Sequence, residues 1–254
     1  MLQIEDLRVE LDSKILLEHI DLEIKPGETH VLFGPNGSGK TSLVMAVMGY
    51  PQFRITRGKI LFKGVDITHK PINERAKLGI GMSYQRPPTI HGLKTRQLVQ
   101  ICAGGGADAE ELAGRVNFVD FLDRDVNAGF SGGEIKRSEL LQLMAQNPDL
   151  MFFDEPESGV DLENLALVGS TIAVLLQKAH VGGDAKSMSE IRRERTKMGL
   201  IITHTGYILD YVPADKGYVL YGGVLSCSGN PREILKWISE CGYQECEKCA
   251  MKTS

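Results

Sequence analysis

No apolar run in this 254-residue chain approaches the roughly 18 to 20 residues that a helix needs to cross a bilayer. The most apolar stretch, 165–176, is broken by Gly169, Ser170 and Thr171, so no membrane span is expected. The N-terminus, MLQIEDLRVELD, lacks the basic-then-apolar order of a secretory leader, and a cytoplasmic location is expected. Basic charge is not in excess either. Lys and Arg number 29 against 33 Asp and Glu, a net charge of −4, which argues against a nucleic-acid binder because phosphate backbones are held by a basic footprint. The one basic cluster, KSMSEIRRERTK at 186–197, reads as a solvated helix face or a docking surface. The five cysteines are odd in number and come without an export signal, which fits reduced thiols. Internal repeats are lacking. What remains, 24% charged and 42% hydrophobic, is the composition of one α/β domain or two small lobes.

Short apolar segments alternating with helical stretches predict an α/β fold with a mostly parallel sheet covered by helices. Strands are expected at 3–10, 20–24, 29–33, 59–62, 80–84, 150–153, 200–203, 218–221 and 224–227, the early ones forming an antiparallel side sheet. Between 87 and 128 strand signals disappear, and Gly104, Gly105 and Gly106 precede helical stretches. This predicts a helical lobe at 86–146 inserted into an α/β lobe made of 1–85 and 147–240.

The segment Gly34-Pro35-Asn36-Gly37-Ser38-Gly39-Lys40-Thr41 matches the P-loop pattern between an apolar strand, THVLF, and a helical run beginning at Ser42. Its glycines let successive backbone N–H groups converge on a polyphosphate, aided by the positive end of the following helix. Lys40 would reach the β- and γ-phosphates and Thr41 a Mg²⁺ ion. The apolar strand LMFF ends in Asp154-Glu155, two carboxylates at the strand edge where open α/β sheets bind ligands. Adjacent acids in a loop are often only a solvated turn. Beside a P-loop they read as a Mg²⁺ ligand, Asp154, and a residue that orients or deprotonates the attacking water, Glu155.

Phe130-Ser131-Gly132-Gly133-Glu134, followed by the helical run IKRSELLQLMAQ, resembles the signature of the ATP-binding cassette (ABC) family. Gln85, Ser158-Gly159-Val160-Asp161 and His204 follow the same family order. The resemblance covers about residues 1–240 and implies a RecA-like α/β lobe, an antiparallel β side sheet and an inserted helical lobe. It also implies ATP hydrolysis in a transient head-to-tail homodimer, because one P-loop and one signature leave a single chain with half of each site. In that frame Ser131, Gly132, Gly133 and Glu134 act in trans on the nucleotide held by Lys40. Gln85 contacts Mg²⁺ or the water, His204 contacts the γ-phosphate, and Asp161 bridges the protomers.

Within the family, FSGGEIKRSELLQL, DEPESGVD and ITHTGYILDYVPADKGYVLYGGVLSCSG resemble the SufC branch, the ATPases of the SUF iron–sulfur assembly machinery. That likeness implies a SufB- or SufD-like scaffold as partner, contacted through Arg86-Pro87-Pro88-Thr89-Ile90-His91-Gly92. The alternative is the ATP-binding subunit of a membrane ABC transporter. Some features depart from the family. No aromatic residue lies in 9–17 to stack on adenine, leaving aliphatic side chains such as Val9 or Leu11 and predicting weak purine selectivity. Phe130 replaces the common Leu, and Glu134 the common Gln. The stretch 178–198 reads as an insertion, either a lineage-specific contact or a tolerated surface excursion. In the tail 241–254, Cys241, Cys246 and Cys249, with Cys227 as a fourth ligand, have a spacing that suits an Fe–S cluster or zinc; unligated thiols are the alternative.

Overall fold

The segments THVLF, LMFFD and MGLII carry almost no polar alternation, and each forms a strand buried along its whole length: β3 (Thr29–Phe33), β9 (Leu150–Asp154) and β10 (Met198–Ile202). Such strands belong in the middle of a sheet covered on both faces. The computed structural model, which describes residues 1–179 and 194–243, places them there. Its six-stranded sheet has the order β12-β11-β3-β10-β9-β6, with β6 at Ile80–Ser83, β11 at Lys216–Tyr221 and β12 at Val224–Gly229. All neighbours are parallel except the β11–β12 hairpin. The antiparallel side sheet is β2-β1-β4-β5, from Leu2–Leu11 (β1), Lys14–Ile24 (β2), Arg54–Phe62 (β4) and Val65–Asp66 (β5).

Because strand residues alternate faces, each central strand feeds two cores. Leu32, Phe152 and Leu200 point to the core shared with the side sheet and with α1 (Lys40–Met48). Val31, Phe33, Phe153 and Ile201 point to the opposite core, closed by α5 (Gly132–Gln146), α6 (Leu162–Leu175) and α7 (Pro231–Cys241). α1 lies between the two sheets, where Leu43, Val44, Ala46, Val47 and Met48 are all buried. A helix apolar around most of its circumference is stable only in such a position. The short α2 (Ile72–Lys77) is fixed by its buried Arg75, whose guanidinium donates to the carbonyls of Ala46 and Val47 at the end of α1.

A third core, built around Val99, Phe118, Leu122, Phe130 and Leu141, joins α3 (Thr95–Cys102), α4 (Ala109–Gly114) and one face of α5. Phe130, at the position where the family more often has Leu, stacks edge-on against both Phe118 and Phe121. Here the expected absence of strands is corrected. Ile90–Lys94 (β7) pairs antiparallel with Asp125–Val126 (β8) in a two-stranded ladder. The segment IHGLK is almost wholly exposed, so no apolar pattern marks it; pairing alone makes it a strand. Likewise β2 and β4 start earlier than expected, at Lys14 and Arg54, because their first turns face solvent and are held by ladder bonds to β1.

Candidate nucleotide-binding and hydrolysis site

Four parallel strands, β6, β9, β10 and β3, end side by side. Ser83 lies beside Phe153, Asp154 beside Ile202, and Ile202 beside Leu32. The residues just beyond those ends, Gln85, Glu155, His204 and the loop from Gly34, are therefore collected along one edge, where an open α/β sheet binds its ligand. The loop closes tightly over β11. A Cβ on Gly34 would lie 2.3 Å from the Leu220 carbonyl oxygen, and Gly39, at φ 104°, forms the left-handed N-cap of α1. Lys40 is buried and its Nζ donates to the carbonyls of Gly34 (2.8 Å) and Pro35 (3.0 Å). Burial lowers its pKa, while Glu155 and Asp154 oppose the shift. Ser38 Oγ is buried without a hydrogen-bond partner. The loop thus holds a cation and an unused hydroxyl around a space bounded by backbone N–H groups, an arrangement suited to phosphate.

On the facing strand ends, Thr41 Oγ1 donates to Asp154 Oδ2 at 2.9 Å, and Asp154 Oδ1 is buried with no partner. Burial raises the Asp154 pKa, with the Thr41 hydrogen bond pulling the other way. The orphaned carboxylate oxygen and the threonine hydroxyl on the same carboxylate, with the amide oxygen of Gln85, whose Nε2 is held by the neighbouring Glu155, make up a hard, all-oxygen donor set of the kind Mg²⁺ takes. Those three residues fit the ion that the motif implies; when bound, it would neutralise phosphate charge. Glu155 sits between the two other expected residues. Its Oε2 accepts from Gln85 Nε2 at 2.6 Å, and its Oε1 is 3.2 Å from His204 Nδ1. Glu155 itself takes φ 47°, a left-handed backbone that a residue with a Cβ adopts only when its surroundings enforce it. Its N–H bonds to the Ile202 carbonyl at 3.0 Å, and its side chain is held by Gln85.

The P-loop, Asp154, Glu155, Gln85 and His204 are therefore brought together. The signature residues form a separate unit. Ser131 is the N-cap of α5 in a capping box, Ser131 Oγ accepting from Glu134 N–H and Glu134 Oε2 from Ser131 N–H. Gly132 packs on the loop after Glu155 so closely that a Cβ would lie 2.0 Å from the Gly159 carbonyl oxygen. Asp161 caps α6, with one oxygen on Asn164 N–H and the other on the Asn164 amide.

A match to the family model described as ABC transporter spans residues 17–158. The chain belongs to the ABC transporter family. It is 32% identical to the Escherichia coli (strain K12) protein named "Probable ATP-dependent transporter SufC", with 96% of this chain and 97% of that one aligned. It is 33% identical to "Probable ATP-dependent transporter ycf16" of Cyanidium caldarium over 94% of this chain and 97% of the relative. Among solved structures, a nucleotide-free ATP-binding cassette from an ABC transporter superposes with a TM-score of 0.74 at 21% identity, covering 97% of this chain and 98% of that one. The ABC fold expected from the sequence is thus the fold found. The chain is an ATPase, and the relatives it matches over nearly their whole length include one named SufC.

One expectation is corrected and another is left without support. Val9 is fully buried in the core beneath the side sheet and has no surface to offer adenine. Among the described residues no group of three or more His, Cys, Asp or Glu side chains is placed to hold a metal ion. Cys227 packs against the core near α7, whereas Cys241 is exposed at the end of that helix, so the Fe–S or zinc reading gains no support. Cys246, Cys249 and most of the 178–198 stretch lie outside the described residues.

Sequence reasoning also passed over four buried polar groups. Glu139 and Lys136, one turn apart on α5, grip the segment that carries Gln85. Glu139 accepts from Ser83 Oγ (2.9 Å) and Tyr84 N–H (2.8 Å), and Lys136 donates to the carbonyls of Tyr84 and Gln85. Burial dominates both: Glu139 is pushed up to about 7, and Lys136 is lowered. The clue available in the sequence was their i, i+3 spacing on the helix face that also carries Leu140 and Leu143. Farther along the same loop, Asn127 Nδ2 donates to the Pro88 carbonyl at 2.9 Å, joining the Gln85 loop to the approach to Ser131. The fourth group, Glu157, is buried against the hydroxyls of Thr203 and Thr205, the residues that flank His204.

Proposed function

We propose that this ATPase works as a head-to-tail homodimer in the cytoplasm, holding ATP and Mg²⁺, and that its closure drives a SufB- or SufD-like scaffold during iron–sulfur cluster assembly. The observation that carries the reading is the division of labour within the chain. Lys40, Thr41, Asp154, Glu155, Gln85 and His204 share one strand edge, while Ser131 stands exposed at the start of a different helix. A second copy supplies that missing half. In the proposed cycle the P-loop N–H groups and Lys40 bind the phosphates. Asp154, Thr41 and Gln85 would hold a Mg²⁺ ion, which would neutralise phosphate charge. Glu155, oriented by Gln85 and His204, takes the proton from the attacking water, and His204 contacts the γ-phosphate.

The scaffold reading is supported by the 32% identity, over almost the whole of both chains, to the relative named SufC and by the exposed 86–92 segment. That segment is tied both to Gln85 and, through Asn127, to the start of the signature helix, so a displacement at the nucleotide is passed outward. The SufC and ycf16 relatives are both named as transporters, which keeps a membrane permease as the rival partner. A Glu155→Gln variant, purified anaerobically from its own cells with ATP, separates the two. Mass spectrometry is expected to find a soluble SufB- or SufD-like protein whose retention needs an intact 86–92 segment. Recovery of a membrane permease instead would overturn the assembly reading. Light scattering of the same variant tests the dimer, which is expected with ATP and absent with ADP.

A further inference from the structure

His204 lies between Thr203 and Thr205 in the bend just past the end of β10. Both threonine hydroxyls donate to a single acceptor, Oε1 of Glu157: Thr205 Oγ1 at 3.0 Å and Thr203 Oγ1 at closer range. Thr203 Oγ1 in turn accepts from Gly206 N–H at 2.8 Å, where the chain turns away into the short helix Tyr207–Asp210. Glu157 is 8% exposed and has no cation within ion-pair distance among the described residues, while its Oε2 is buried with no hydrogen-bond partner. A carboxylate is expensive to bury, so one held without an ion pair is a poor choice for stability alone. The imidazole itself meets a different carboxylate, Glu155 Oε1 lying 3.2 Å from His204 Nδ1. The segment Glu155-Pro156-Glu157 thus grips the histidine and the threonines that flank it, and the proline between the acids fixes the angle of that grip.

We propose that Glu157 is a positioning residue for His204, acting through the paired hydroxyls of Thr203 and Thr205 to hold the imidazole against Glu155. The inference rests on the reading of His204 as the γ-phosphate contact. Without Glu157 the two hydroxyls lose their common acceptor, and the 203–206 turn is free to rotate the ring away from Glu155. Glutamine keeps the accepting oxygen; alanine does not.

The test uses the full-length chain with Glu157→Ala, Glu157→Gln, Thr205→Val, His204→Ala and the double change Glu157→Ala with His204→Ala. E157A is expected to lower kcat by about 10- to 100-fold, the scale of a catalytic group held out of place, with KM for ATP changed by no more than about threefold. E157Q restores most of kcat, and T205V, nearly isosteric, shows a smaller fall in the same direction. On the H204A background E157A has no further effect, because the two act as one unit. The ring-nitrogen NMR signals of His204, assigned by their absence in H204A, report orientation without turnover. They are expected to shift in E157A and T205V and to stay in place in E157Q. Unmoved signals in E157A overturn the positioning role, as does an additive loss in the double variant. Should E157A fail to fold, T205V at wild-type melting temperature decides the matter by the same signals. A fully active H204A would instead remove the role given to His204 while leaving the geometric claim to the NMR result.

Discussion

Two helix starts in this molecule face anions in opposite ways. α1 begins at Gly39-Lys40 with no side-chain cap, a glycine in left-handed backbone, and a buried lysine resting on loop carbonyls. α5 begins with Ser131 and Glu134 satisfying each other's N–H groups in a capping box. A helix leaves its first N–H groups unpaired. The α1 start leaves them for a ligand, whereas the α5 start has internal acceptors that let it stand exposed without one. The contrast explains how one chain keeps a stable signature segment while its P-loop waits for nucleotide: the first is self-satisfied and the second is not.

The largest expected effect lies at the start that needs its ligand. Lys40→Ala removes the only side-chain cation of the loop and is expected to weaken ATP binding by about 100-fold, the scale of losing a charge-assisted contact in a desolvated site. Calorimetry of nucleotide binding measures it, and an affinity within threefold of wild type would erase the contrast. Gly132→Ala tests the other start. Its Cβ would lie 2.0 Å from the Gly159 carbonyl oxygen, so the loop between Glu155 and Asp161 has to move. Turnover is expected to fall at least about tenfold while ATP affinity stays, with a stability loss of about 1–3 kcal/mol from the forced shift.

The third prediction concerns the connection between the two starts. Glu139, pushed up to about 7 from 4.5, keeps its proton in the fold over a range where the unfolded chain has lost it. Stability is therefore expected to decline as pH rises from about 4.5 to about 7, by no more than about 1.4 kcal/mol per pH unit from this group, and then to level off. Glu139→Gln, followed by denaturant unfolding across that range, is expected to flatten the slope; an unchanged slope would assign it elsewhere. The smallest effect belongs to the cap. Glu134→Ala is expected to cost about 0.5–1 kcal/mol of stability, since Ser131 still caps the helix, and to leave the ATP affinity of the monomer, where the signature does not reach its own P-loop, unchanged. Chemical denaturation reads the first and calorimetry the second.

Much of the nucleotide edge was legible before any coordinates, because its chemistry is carried by short contiguous words. Gly34 to Thr41 is one turn of backbone, and Asp154-Glu155 is the last pair on one apolar strand. The site residues Gln85 and His204 are lone side chains. They were readable only through the family order of motifs, and their meeting at Glu155 depends on three strands ending in register. The ladder of Ile90–Lys94 with Asp125–Val126 was not legible, since an exposed pairing of IHGLK with two residues leaves no hydrophobic period. Glu139, Lys136 and Glu157 were overlooked for the opposite reason. A charged residue reads as solvated until its partners are known, and theirs are the backbone of Tyr84 and Gln85 and the hydroxyls of Thr203 and Thr205.

The sequence by itself determined the parallel sheet, the P-loop and the pair of acids, because each is written in contacts between neighbours along the chain or in a strand buried on both faces. Tertiary structure alone decided that Val9 is core rather than adenine contact. It also decided that Gly132 lies against Gly159, and that three buried charged residues face the loops bearing Gln85 and His204. The physical reason is one of range. Hydrophobic periodicity and motif spacing are local, whereas a buried carboxylate or lysine is defined by the partners that relieve its desolvation, and here those partners lie about 50 residues away along the chain.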